Sequence, residues 1–402
     1  MLIRKIDKRI EQYLSFLDEK KYSLILKPEV HVGSTQSYNY TVPNDLKIEK
    51  VTFPYNYGKE KTNYWFFTSF TIPSTYKNNE LYLNAPTGAD SLVFVNNNPI
   101  GAVNPYHPKI KLLESEKTNH ISIAIEAYAG HSIPGYHPMH KSRILITLGR
   151  QVESYPITFP TCEIIVKNKM VYDLYYNASV LYDVACQLDD DSLLKNEILR
   201  ELYHSLTKIH FVSSKETLEE EAKQALQELQ PLLFKRNGST VPNVYVIGHA
   251  HIDHAWLWPL GETIRKAART FSNMVRLGLE YPEFVFIQSQ PAQLELIKKN
   301  YPFVFEQVQE AYKKGQWEPN GGMFVEADTN IPSGESLIRQ FLVGKTLTKE
   351  YFDYYGDTLW LPDVFGYSAN LPQILKGCGI EYFVTSKINW NDTTRFPFDT
   401  FN

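Results

Sequence analysis

The spacing of apolar positions changes character several times along the chain, and each change marks a structural region. Leu2, Ile6, Ile10, Leu14 and Leu17 recur at helical spacing among charged residues. That pattern predicts a docked amphipathic helix, since a signal peptide would need an uninterrupted apolar segment. This helix and an extended segment fill residues 1–44. From 45 to 165 the runs shorten and become β-rich: 64–72, 80–83, 91–95, 121–125 and 143–148. Turn residues at 55–58, 85–88, 96–99 and 134–135 punctuate them, as a β-sandwich accessory domain requires. From 166 to 240 helical stripes return, first through Leu193, Leu194, Ile198, Leu199, Leu202 and Leu206, then through Leu218, Ala222, Ala225, Leu226 and Leu229. These predict a helical connector, which the polar, Gly- and Pro-containing segment 235–242 ends.

Beyond 241 the pattern alternates between strand and helix. Strands are expected at 244–248, 284–288, 317–324, 358–361 and 382–385, with helices at 260–280, 292–314 and, capped by Ser333, through Tyr355. Strict βα alternation implies a parallel sheet, here the start of a (β/α) barrel, whose catalytic groups gather at the carboxyl ends of the strands. Residues 241–402 fall short of the roughly 250 of a complete barrel. Their end carries no closing element, so the catalytic domain is expected to be incomplete at its C-terminus and inactive on its own.

Charge and composition narrow the partners. A net charge of −4 without a basic stripe argues against nucleic acid and against a membrane surface. No segment approaches the roughly 20 apolar residues of a membrane span. The 27 Tyr, 22 Phe and 6 Trp suit sugar-stacking surfaces, though most such rings fill cores. Cys162, Cys186 and Cys378 are too few and too scattered for a disulfide framework, which suggests a reducing, cytoplasmic compartment.

Candidate chemistry begins where the first βα strand gives out. In HAHIDHAWLW, residues 249–258, alternation places His249, His251 and Asp253 on one face. Imidazole and carboxylate donors of this kind suit zinc, and such a site also accepts cobalt. Hydrogen bonds from these rings to backbone carbonyls are the structural alternative. Asp363 follows another strand end in WLPDVFGYS, residues 360–368, either to complete the site or to cap a turn. Glu326 and Asp328, two residues apart after the third strand, stand either against sugar hydroxyls or in solvent. Trp256 offers a floor for a pyranose ring or a core aromatic, and Lys387 a substrate-oxygen contact or a solvated charge.

Together HAHIDHAWLW, GGMFVEADTNIPSGESLIRQ at 321–340 and WLPDVFGYS resemble the α-mannosidases of glycoside hydrolase family 38. The resemblance covers 241–402 closely, and the preceding regions are similar to those of its cytosolic and vacuolar branch. It implies a retaining, exo-acting enzyme that removes terminal α-D-mannose from mannosides or oligosaccharides through a covalent glycosyl-enzyme. Zinc would be held by His251, Asp253 and Asp363, with Asp363 also the nucleophile. Trp256, Glu326, Asp328, Phe365 and Lys387 are the candidates around the sugar. A further histidine ligand and the acid/base aspartate would lie beyond Asn402, and His249 and His254 would not be ligands. The resemblance also makes homo-oligomer contacts through the N-terminal regions an expectation. Two other readings stand beside it: a metal-dependent amidohydrolase or sugar deacetylase, in which His249 is a ligand, and a non-catalytic carbohydrate-binding fragment.

Overall fold

The computed structural model describes residues 2–130, 154–393 and 396–397, apart from 60, 114–115, 117–119, 237, 239 and 257. The expected run at 143–148 lies outside the described residues. Helices and sheets are mixed in the order the pattern suggests. The helix Leu2–Lys20 packs against Lys169–Gln187 and Leu193–Leu206, and Lys215–Leu233 completes the group. Their shared core holds Ile10, Leu17, Leu174, Leu202 and Leu229. Ser192 and Ser214 cap two of these helices by accepting amides of their first turns, which is where the sequence changes period. The stripe of the first capped helix is only partly used, because Leu193 remains exposed while Ile198, Leu199, Leu202 and Leu206 are buried.

Two large antiparallel sheets and a two-stranded one, Tyr55–Lys59 with Ser154–Phe159, make up the β-rich region. One has four strands, in the order Tyr22–Leu26, Glu163–Lys167, Leu81–Asn84 and Lys109–Leu112. The other has six, from Glu49–Lys50 through Val30–Thr35, Asn63–Phe70, Ile121–Tyr128 and Ser91–Val95 to Asn98–Val103. Residues 22–35, expected in an extended N-terminal segment, thus supply a strand to each large sheet. Phe66, Val93, Val95, Ile123 and Ile125 of the six-stranded sheet share one core with Leu81, Leu83, Ile110 and Ile164 of the other. Alternation sends Trp65, Leu92, Phe94 and Ala124 to the opposite face, where they pack on Ala267, Ala268 and Phe271 of the helix Leu260–Glu280. The six-stranded sheet is therefore buried on both faces, and a continuous apolar core joins the β-rich region to the βα region beyond residue 241.

A buried polar cluster lies within that junction. Glu126, on the same face as Ala124, meets Arg265 at 2.9 Å and Arg269 at 3.3 Å. Glu262 pairs with Arg265 at 2.6 Å and also with Arg269. Asn63 Oδ1 accepts a further bond from Arg265, whose guanidinium lies over Tyr38 and Tyr128. Burial pushes the Glu126 carboxyl above its ordinary range despite both arginines. Burial acts on Glu262 as well, but there the two arginines prevail and hold the carboxyl below that range.

In the βα region, Gly248–His249, Phe286–Ile287 and Trp317–Glu318 pair in parallel, as do Thr358–Leu361 and Tyr382–Thr385. A bridge from Gly321 to Leu359 connects the two groups. Neighbours in sequence are thus neighbours in space, but among the described residues the strands do not close on themselves. The strand expected from Val244 narrows to two residues, and Val244, Tyr245 and Val246 are 81, 89 and 87% exposed. An apolar, β-branched run forms a strand only where a partner continues the ladder, and the neighbouring strand is itself two residues long. The strand expected at 317–324 is shortened in the same way, to Trp317–Glu318. The helix expected over 292–314 divides into Pro291–Asn300 and Pro302–Lys313. Pro302 disfavours a helical Tyr301 and lacks the amide needed to continue the ladder.

Candidate functional site

The turn after Gly248–His249 carries His251, Ile252 and Asp253, and a buried polar segment from the neighbouring strand end fixes it. Gln290 and Gln293 both donate to the Ile252 carbonyl, at 2.8 and 2.9 Å. This carbonyl lies between the two candidate ligands, so its double hydrogen bond sets the backbone from which both side chains project. The signal in sequence was the polar run Gln288, Ser289, Gln290 at the end of an apolar strand, where four polar side chains, Gln293 included, are buried. Sequence reasoning passed over it.

His251, Asp253 and Asp363 converge, each offering one ligand atom within 4.8 Å of the others. His251 Nε2 is 3.3 Å from Asp253 Oδ1 and 3.5 Å from Asp363 Oδ2. Lys387 reaches Asp363 from the next strand end, with Nζ 3.0 Å from Oδ1. One Asp363 oxygen therefore faces the ligand cluster and the other faces a cation. The loop bearing Asp363 is tied to residues 321–330 through Thr329, whose hydroxyl donates to the Gly366 carbonyl and accepts from the Ser368 amide.

On its other edge, His251 Nδ1 lies 2.5 Å from Glu326 Oε2. Glu326 also accepts from Ser289 Oγ at 2.5 Å, and its side chain is only 3% exposed. Both carboxylate oxygens of Glu326, expected beside a sugar, are thus engaged by protein partners. The expected period-two arrangement fails, because residues 321–330 form a looped segment and not the continuation of a strand. Asp328 is not aligned with Glu326 either; its Oδ1 accepts from the amides of Asn330 and Ile331 and so holds the turn. Gly321, at φ 151°, permits the close approach, since a Cβ there would meet the Ser289 carbonyl oxygen at 2.1 Å.

Burial lowers the proton affinity of His251, but Glu326 and Asp253 outweigh it and raise the pKa from 6.5 to about 9. His249 goes the other way, lowered by burial. Its Nε2 lies 3.2 Å from Ser289 Oγ and its ring lies 5.3 Å from that of Trp360, so it stands outside the ligand cluster. His254 is also lowered by burial and lies outside the cluster. Around the mouth, Trp256 and Phe365 are 60 and 64% exposed. Trp256 packs edge-on against Trp258, while Phe365 lies 5.2 Å from Trp390, with Lys387 over both of the latter rings. Trp390 is an aromatic of this rim that sequence reasoning did not single out.

Residues 241–402, the stretch that builds the cluster, match the family model described as Glycosyl hydrolases family 38 N-terminal domain. In that stretch the chain is similar to glycoside hydrolase family 38. Relatives at the level of sequence extend the match beyond that domain. Alpha-mannosidase G of Dictyostelium discoideum is 31% identical over 98% of this chain and 37% of its own length. Alpha-mannosidase 2C1 of Mus musculus is 33% identical over 84% of this chain and 32% of its own. An alpha-mannosidase of Saccharomyces cerevisiae is 36% identical over 57% and 22%. The chain thus spans about a third or less of the length of these curated relatives. The family 38 stretch holds all three clustered donors, and the first of the relatives aligns through the β-rich and helical regions as well.

Proposed function

We propose that the protein is a retaining, exo-acting α-mannosidase that removes terminal α-D-mannose from mannosides or oligosaccharides, with Asp363 as nucleophile. The observation that carries this reading is the convergence of His251, Asp253 and Asp363 at the ends of parallel strands within a family 38 stretch. One imidazole nitrogen and two carboxylate oxygens suit a borderline divalent ion, so the donor set fits zinc, and cobalt as a substitute. Zinc bound there supplies Lewis-acid polarisation and a fixed point for sugar hydroxyls.

The chain's own residues do the rest. Asp363 attacks the anomeric carbon as the bond to the leaving oxygen breaks, forming a glycosyl ester that water then hydrolyses with retention. Lys387 holds the other carboxylate oxygen and so limits the rotation of the nucleophile. Trp256 and Phe365 give the sugar apolar faces. The clustered residues include no general acid, which in this reading comes, like a further histidine ligand, from elsewhere in the protein. The two large antiparallel sheets are an accessory β-sandwich, and the parallel strands are the opening part of a (β/α) barrel. A cytoplasmic setting is supported by three free cysteines, Cys162, Cys186 and Cys378, and by the likeness to the cytosolic branch. No helix among the described residues is long and apolar enough to cross a membrane. A homo-oligomer built through the N-terminal regions is part of the same proposal.

The position of His249, bonded to Ser289 and packed on Trp360, weighs against the amidohydrolase reading, in which it would be a ligand. The experiment is turnover of an aryl α-mannoside by the full-length protein with and without zinc, alongside Asp363→Ala. Zinc-dependent turnover that the substitution abolishes supports the reading. Activity that persists in Asp363→Ala, or in protein stripped of metal, sinks it.

A further inference from the structure

We infer that Glu326 is a positioning residue for His251, anchored by Ser289, and that it sets the affinity of the cluster for a divalent cation without contacting either cation or sugar. The inference rests on the metal-site reading above. Three observations carry it. First, Glu326 Oε2 and the Asp253–Asp363 pair lie on opposite edges of one imidazole: Nδ1 is 2.5 Å from the first, and Nε2 is 3.3 and 3.5 Å from the others. A hydrogen bond donated from Nδ1 fixes the tautomer that leaves the Nε2 lone pair for a ligand, and it also fixes the plane of the ring. Second, Glu326 is buried and its other oxygen is held by Ser289 Oγ, so the carboxylate cannot swing into the cleft. Third, Ser289 is locked in turn by the approach of Gly321 to its own carbonyl, and the Glu326 amide donates to Gln290 Oε1. That glutamine also holds the Ile252 carbonyl beside His251. The ring and the backbone that carries it are therefore positioned by one connected set of bonds from the next two strand ends.

A carboxylate behind a metal-bound histidine raises ligand basicity and restricts the ring, and losing it costs about 10–100-fold in metal affinity. Zinc alone is the probe. It is titrated in competition with a chromogenic chelator into wild-type protein, Glu326→Gln and Ser289→Ala, and cobalt(II) absorption spectra are recorded on all three. The expected result is zinc affinity weakened about 10–100-fold in Glu326→Gln, a smaller loss in Ser289→Ala, and an altered cobalt spectrum in both. A merely structural role would lower the melting temperature of the metal-free variants and leave the cobalt spectrum of folded protein unmoved. Glu326→Gln within twofold of wild type in zinc affinity, with a raised KM for an aryl mannoside, overturns the inference and returns Glu326 to the sugar. Wild-type protein that binds no zinc removes the metal-site reading itself, a result distinct from a variant that binds as wild type does. If Glu326→Gln does not fold, Ser289→Ala decides, and unchanged zinc affinity and cobalt spectrum there overturn the inference.

Discussion

Two clusters of charged side chains, one against the helix Leu260–Glu280 and one at the ends of the parallel strands, are built to opposite ends. Glu126, Glu262, Arg265 and Arg269 balance two negative charges with two positive ones, all buried between a sheet and a helix. His251, Asp253, Asp363 and Lys387 are partly open, and two carboxylates crowd a single imidazole. The first cluster has the composition of a closed lock: each charge finds its opposite, and nothing is left to engage a ligand. In the second, the nearby positive groups leave carboxylate oxygens converging on one point, which is what a cation or a reacting carbon requires. Burial and pairing, more than residue type, separate a structural charge cluster from a chemical one.

The sharpest test of this contrast removes one group from each. Asp363→Ala should lower turnover of an aryl α-mannoside on the order of 10⁴-fold or more, as loss of a nucleophile does, with the melting temperature nearly unchanged. Arg265→Met should do the reverse. It leaves Glu126 and Glu262 with Arg269 as the one remaining cation of the cluster, and breaking a buried pair in this way costs about 3–5 kcal/mol. Urea unfolding of the two variants measures both sides. A loss below 1 kcal/mol for Arg265→Met, or a collapse in stability for Asp363→Ala, would erase the distinction.

Acidity provides a second separation. Binding a cation requires the His251 ring to give up its Nε2 proton, and in the metal-free protein that ring titrates at about 9. Apparent zinc affinity should therefore rise about tenfold per pH unit from 7 towards 9 and then level. Stability of the metal-free protein runs the opposite way. Because the folded pKa lies above the ordinary 6.5, His251 stabilises the fold fully below pH 6.5, and the contribution is lost as pH rises through 9. Chelator competition and thermal melts across that range check both. A zinc affinity flat from pH 7 to 9 would mean that His251 carries no proton to displace.

Legibility in the sequence followed the range of each interaction. The helix Leu260–Glu280 was readable, with its end placed approximately, because length and an apolar stripe are local properties. The closeness of His251 and Asp253 was legible because two-residue spacing just past a strand end is local as well. The buried lock was not, since Glu126 reaches Arg265 from a strand more than a hundred residues earlier and nothing near Glu126 marks it as paired. The bonds of Glu326 to His251 and Ser289 were hidden for a related reason. They depend on Gly321 bringing the loop against Ser289, a tertiary approach that the expected strand period concealed. The exposed run 244–246 shows the converse, a strong local β signal that a short neighbouring ladder does not honour.

The smallest expected effect probes the rim of the open cluster. Phe365 is exposed and rests on Trp390 and Lys387, so its ring adds little to any core. Phe365→Ala should change stability by no more than about 0.5 kcal/mol, as surface substitutions usually do. If the ring stacks on a sugar, its loss forfeits about 0.5–1.5 kcal/mol of contact, which is about a two- to tenfold rise in KM at nearly constant kcat. Phe271 is the control on the other side of the comparison, because it is fully buried against Trp317 at the sheet–helix junction. Truncating that ring should cost about 3–5 kcal/mol and act on the folded fraction alone. A KM unmoved in Phe365→Ala would assign the exposed ring to packing on Trp390 and leave the sugar-facing role to Trp256.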